Sequence, residues 1–165
     1  MSVDVFAADE QSDLVVDIES LGALARAVLD AEGVRGDTEV SLLFVDEMTI
    51  AELNERFLFR EGPTDVLSFP IDDEPERGGR SPDEGTTGPT EAQGDAVPSL
   101  LGDVVICPAV AARNASGKGV AADGELALLV VHGLLHLLGM DHEDEEEAER
   151  MEHRERQLLE RFHRA

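Results

Sequence analysis

The segment ADGELALLVVHGLLHLLG (122–139) reads as one strongly apolar helix ended by Gly139. It constrains the chain more than any other stretch, because it carries His132 and His136 among leucines and valines. Imidazole is costly to bury in apolar surroundings unless something binds it. Four positions separate the two histidines, which puts their side chains one turn apart and about 40° apart around the helix axis. Two imidazoles so placed can share one metal ion. His142 follows ten residues after His132. In an unbroken helix it would point about 100° from the mean direction of the other two. Gly139 resolves this, since glycine readily takes the left-handed conformation that ends a helix and lets Met140-Asp141-His142 fold back.

Three neutral nitrogens with an open fourth position describe a catalytic zinc site rather than a closed structural one. The expectation is one zinc per chain held by His132, His136 and His142, although nickel would also accept three imidazoles. A lone histidine on an apolar helix is ordinarily a satisfied core or surface residue. Three in H-x-x-x-H-x-x-G-x-x-H, with the glycine where the geometry needs it, are harder to assign to chance. His153 and His163 fall on a charged C-terminal helix and read as solvated. Asp141 can cap that helix, orient a ligand or accept a proton, and capping is the simplest of the three.

The same spacing occurs in the long zinc-protease pattern, where a glutamate follows the first histidine and acts as general base. Here that position is Gly133, which cannot take a proton, so peptide hydrolysis by that route is disfavoured. What remains is a metal-bound water, whose pKa can fall to about 7. Such equipment suits phosphodiester cleavage, because the ion also polarises a phosphoryl oxygen. Developing phosphorane charge calls for a cation. Arg56 and Arg60, just before the strand DVLSFP, are the best-placed candidates, against the ordinary reading of surface arginines.

The remaining elements follow from periodicity. Strands are read at VDVFAA (3–8), TEVSLLFVD (38–46, apolar and so central), DVLSFPI (65–71, with Pro70 marking an end or an edge) and LLGDVVIC (100–107). Helices are read at 18–31 before Gly33, at 46–57, from Pro108 in 107–115, at 122–139 and at 143–164. Residues 72–98, rich in Pro, Gly and acid, are expected to be a disordered insert within one domain spanning 1–165.

Composition narrows the setting. The net charge of −24 over 165 residues argues against broad nonspecific nucleic-acid binding. No run of about 18 apolar residues is present, so no membrane span is expected, and MSVDVFAADEQSD lacks the basic start and apolar stretch of a signal peptide. The one cysteine, Cys107, lies in VVIC and reads as a buried inert thiol, which fits a reducing cytoplasm.

GPTDVLSFP (62–70), LLGDVVICP (100–108) and HGLLHLLGMDH (132–142), in this order, closely resemble the YbeY family of bacterial rRNA maturation factors. The resemblance runs from about Thr38 to Met151. It implies an α+β fold related to zinc proteases, with a small mixed sheet of about four strands and a zincin-like metal-binding helix. It also implies a zinc-dependent, single-strand-specific endoribonuclease acting in 16S rRNA 3′-end maturation and ribosome quality control. His132, His136 and His142 match the family's ligands one for one. Implied partners are the 16S precursor and the small ribosomal subunit or its proteins, with no membrane and no organic cofactor. One position departs from the pattern: where many members carry an arginine after an aromatic, Phe57 is followed by Leu58, with Arg56 and Arg60 on either side. The alternative is a ribosome-assembly binding protein whose metal is structural; a metallopeptidase is disfavoured by Gly133.

Overall fold

The computed structural model describes residues 3–34, 38–70, 99–140 and 144–163. The insert at 72–98, Asp141 and His142 lie outside the described residues. Among those described, the element order is β1 (Val3–Asp9), α1 (Ile18–Ala31), β2 (Thr38–Phe44), α2 (Glu47–Leu58), β3 (Val66–Pro70), β4 (Ser99–Ile106), α3 (Pro108–Lys118), α4 (Ala122–Leu137) and α5 (Glu145–Phe162). Every expected element is present, with ends shifted by up to three residues. Three helices begin on an aspartate whose carboxylate accepts an amide three residues on: Asp17 from Ser20 (3.1 Å), Asp46 from Thr49 (2.9 Å) and Asp144 from Glu147 (2.8 Å). The Thr49 amide holds the Asp46 carboxyl below its ordinary range.

The four strands form one mixed sheet in the order β1-β2-β4-β3. β1, β2 and β4 are parallel, and β3 runs antiparallel to β4 at the edge, with Val66 opposite Ile106 and Pro70 opposite Gly102. The chain is therefore α+β, and β2 is central, as its near-continuous apolar sequence requires. Pro70 lies on an edge strand, where its missing N–H costs no interior ladder bond. Between β2 and β4 the register slips at Glu39/Val40, which partner Leu100 and Gly102 and leave Leu101 as the extra residue. Gly102 has φ +146°, and a Cβ there would lie 2.5 Å from the Phe69 carbonyl oxygen, so only glycine fits this bulge.

Two apolar layers sandwich the sheet. On one face Val40, Leu42, Phe44, Val104 and Ile106 meet α1 and α4 in the main core. On the other, Leu67, Val105 and Phe69 meet Ile50 and Leu53 of α2. α4 is buried on most sides, which is why its sequence is apolar almost throughout.

Candidate functional site

The position of α4 is set by Gly133. A Cβ at this residue would fall 2.6 Å from Val104 Cγ1, 3.2 Å from Val104 Cγ2 and 3.3 Å from Ser68 Oγ. The helix thus lies against β3 and β4 at a distance only glycine permits, and the Ser68 hydroxyl donates to the Gly133 carbonyl (3.2 Å). No side chain fits there, so the glutamate of the protease pattern is missing for a steric reason as well as a chemical one.

At its C-terminus α4 closes as the sequence requires. Gly139 has φ 102°, its N–H donates to the His136 carbonyl (3.0 Å), and Met140 N–H donates to the Leu135 carbonyl (3.0 Å). This paired 5→2 and 6→1 bonding is the Schellman arrangement. It redirects the chain just past His136, towards the segment that carries Asp141 and His142.

His132 and His136 are both half-buried, with ring centroids 5.4 Å apart at 70°. The Nδ1 of His132 meets Glu155 Oε2 at 2.5 Å. Glu155 comes from α5 and is 7% exposed. With Nδ1 engaged by a carboxylate, a cation would be taken at Nε2, the usual geometry of a metal-ligating histidine. Two imidazoles on one helical face, one already oriented by a buried acid, are a donor set that fits zinc. Among the described residues no set of three His, Cys, Asp or Glu comes together as a metal site, and His142 lies beyond them.

Glu155 is the residue that sequence reading misses. It sits among the charges of EEEAERMEHRERQLLERF, where one glutamate looks like the next. Its signal is positional: it stands four residues after Met151 and three before Leu158, on the buried stripe of α5. α5 is also tied to α1 by Arg154, whose Nε lies 2.6 Å from Glu32 Oε2.

The other candidates are placed as follows. Arg56 and Arg60 are exposed, on and just after the end of α2, which packs on the sheet face opposite α4. The Arg56 guanidinium lies 5.6 Å over the Phe57 ring. Phe57 in turn packs edge-on against Phe69 of β3 at 5.6 Å. Phe59 is 86% exposed and holds a left-handed backbone (φ 56°, ψ 37°), rare for a non-glycine residue. Buried Asn54 fixes this corner: its carbonyl accepts from Phe59 and Arg60, and its side-chain amide donates to the Gly62 carbonyl (3.0 Å). His153 is exposed as expected. His163 corrects the reading of a solvated residue: it is half-buried, and its Nε2 is enclosed with no hydrogen-bond partner among the described residues. It lines a cavity of about 380 Å³ with Asp17, Leu24, Asp123 and Phe162, at the end of α4 remote from His136. Cys107 is fully buried, and that burial pushes its thiol pKa up. Among the described residues no single helix is long and apolar enough to cross a membrane.

A profile of the family described as "Endoribonuclease YbeY" matches residues 6–163. A relative of that name from Beutenbergia cavernae is 44% identical over 149 residues, covering 90% of this chain and 91% of the relative. One from Thermobifida fusca is 42% identical, covering 96% of this chain and 92% of its own length. In three dimensions the chain shares its fold with the solution structure of TM1509 from Thermotoga maritima, at a TM-score of 0.57 and 24% identity, covering 96% of this chain and 90% of that one.

Proposed function

The chain belongs to the Endoribonuclease YbeY family, and on that premise we propose that it is a zinc-dependent endoribonuclease for single-stranded RNA. Its substrate in this reading is the 3′-end precursor of 16S ribosomal RNA, met on the small ribosomal subunit in the cytoplasm during maturation and quality control. The observation that carries the reading is the pair His132 and His136 on one face of α4, with Glu155 against the Nδ1 of His132 and no general base at Gly133. His142 is taken as the third ligand on the strength of its spacing, with Asp141 beside it, and residues 1–165 as one domain in which 72–98 is an insert.

Bound zinc supplies Lewis-acid chemistry to a phosphodiester. The chain's own residues supply the rest. Gly133 leaves no carboxylate at the position after the first histidine, which removes the general base that a peptidase of this pattern needs. Phe59, 86% exposed, offers a ring face on which an unpaired base can stack, next to Phe57, whose ring Arg56 overlies. Arg56 and Arg60 beside them can meet backbone phosphates, a local grip that the overall charge of −24 makes necessary. No described contact joins either arginine to the histidine pair, so their part in this proposal is to hold the strand.

The test is single-turnover cleavage of a 16S 3′-end precursor by wild type and His136→Ala, with zinc measured on both. Wild type should carry about one zinc and cut, while the variant loses both. A metal-free wild type, or a variant that cleaves normally, refutes the proposal.

A further inference from the structure

Glu155 occupies a place that stability alone would give to leucine. It lies on the inward stripe of α5 between Met151 and Leu158, both 1% exposed, and is itself 7% exposed. A carboxylate there loses its hydration and must be compensated by a partner. The contact found for it is His132 Nδ1 at 2.5 Å, across 23 residues of sequence. Most of the glutamates of α5 lie on its exposed side, and the ion pair that ties the helix to α1 uses Arg154 and Glu32 instead. Holding α5 in place therefore does not require a buried acid at 155.

We propose that Glu155 is a positioning residue for the metal centre: it fixes the His132 ring and its tautomer so that Nε2 faces the ion. This rests on the reading of His132 as a zinc ligand. A carboxylate accepting from Nδ1–H leaves Nε2 as the nitrogen that can take a metal and stops the ring from turning. His136 has its own ring at 70° to that of His132, so a rotated His132 would no longer share a focus with it. Glu155 is not a ligand in this account. It acts through His132, and it makes α5 part of a site whose described histidines both lie on α4.

The experiment measures zinc affinity of the full-length chain, stripped of metal and titrated against a chromophoric chelator. Glu155→Gln keeps an acceptor oxygen but loses the charge, and Glu155→Leu loses both while suiting the apolar stripe. Affinity should fall in the order wild type, Gln, Leu, by about 10–100-fold across the series. Glu32→Gln, which breaks the Arg154 pair on the same helix, should leave affinity within about twofold of wild type. Circular dichroism confirms that each variant is folded before titration. A folded Glu155→Leu that binds zinc as tightly as wild type overturns the proposal while leaving the metal reading intact. A wild type that takes up no zinc overturns both.

Discussion

Replacing Gly133 by alanine should destabilise this protein, although the same change in an open helix would stabilise it. In a helix interior Ala is favoured over Gly by about 1 kcal/mol. Against that stands the new Cβ, only 2.6 Å from Val104 Cγ1. Ordinary carbon contacts begin near 3.5 Å, so the overlap is close to 1 Å. Val104 cannot easily yield, because it is fully buried in β4 and β-branching stiffens its χ1. Overpacking of this kind costs about 1–3 kcal/mol, which leaves a net loss of up to about 2 kcal/mol. Val104→Ala removes both γ carbons and costs roughly 2–3 kcal/mol alone. It also removes the obstruction, so Gly133→Ala in that background should regain about 1 kcal/mol from helix propensity. The double-mutant cycle should therefore show a favourable coupling of about 1–3 kcal/mol. Guanidinium denaturation followed by far-UV circular dichroism, with chelator present to keep metal linkage out, measures all four corners. Gly133→Ala that stabilises both backgrounds equally would refute the close approach of α4 to the sheet. The steric account of the missing glutamate would go with it.

Two further outcomes follow from exposure and burial. Phe59→Ala should weaken binding of an unstructured RNA oligonucleotide by roughly 5–100-fold. Phe59→Trp should preserve binding and, in a chain without Trp or Tyr, give a single emission that RNA quenches; unchanged affinity in the alanine variant would remove the stacking face from the account. Cys107, buried and with its thiol pKa pushed up, should resist iodoacetamide at neutral pH until guanidinium unfolds the chain, and rapid alkylation of the native protein would contradict its burial.

Local signals in the sequence carry most of the secondary structure, because caps, breakers and apolar periods act over a few residues. Gly139 is the clearest instance. Its role as the brake after the second histidine is legible from spacing, and its φ of 102° and paired carbonyl bonds bear that out. What local signals do not carry is which elements meet. Pro70 signals an end or an edge, but that β3 pairs antiparallel with β4, across the insert, depends on long-range pairing that no window of sequence displays. Glu155 is hidden for the same reason: its partner lies 23 residues away on another helix. His163 reads as solvated from its charged neighbours, yet the end of α5 packs it beside Phe162 and the first turns of α1 and α4. Arg56 and Arg60 are legible as cations near DVLSFP, but proximity along the chain does not show that α2 covers the other face of the sheet.

Gly133 and Glu155 bear on the same helical face from different sides, Glu155 through His132, and one packing choice accounts for both. On a helix, residue 133 lies about 80° around the axis from the mean direction of residues 132 and 136. Pressing Gly133 onto Val104 therefore sends the imidazoles along the flank of α4, not down into the sheet. They stay half-exposed on a helix that is otherwise mostly buried, and His132 keeps 27% of its side chain accessible. That flank is where α5 passes, so a carboxylate on its inward stripe can reach Nδ1 without approaching the sheet. A larger residue at 133 would lift the helix, and the imidazoles would move relative to Glu155 even if every named side chain remained. The glycine thus does more than omit a base. It sets the height of α4 at which the histidine pair and its supporting acid come into register.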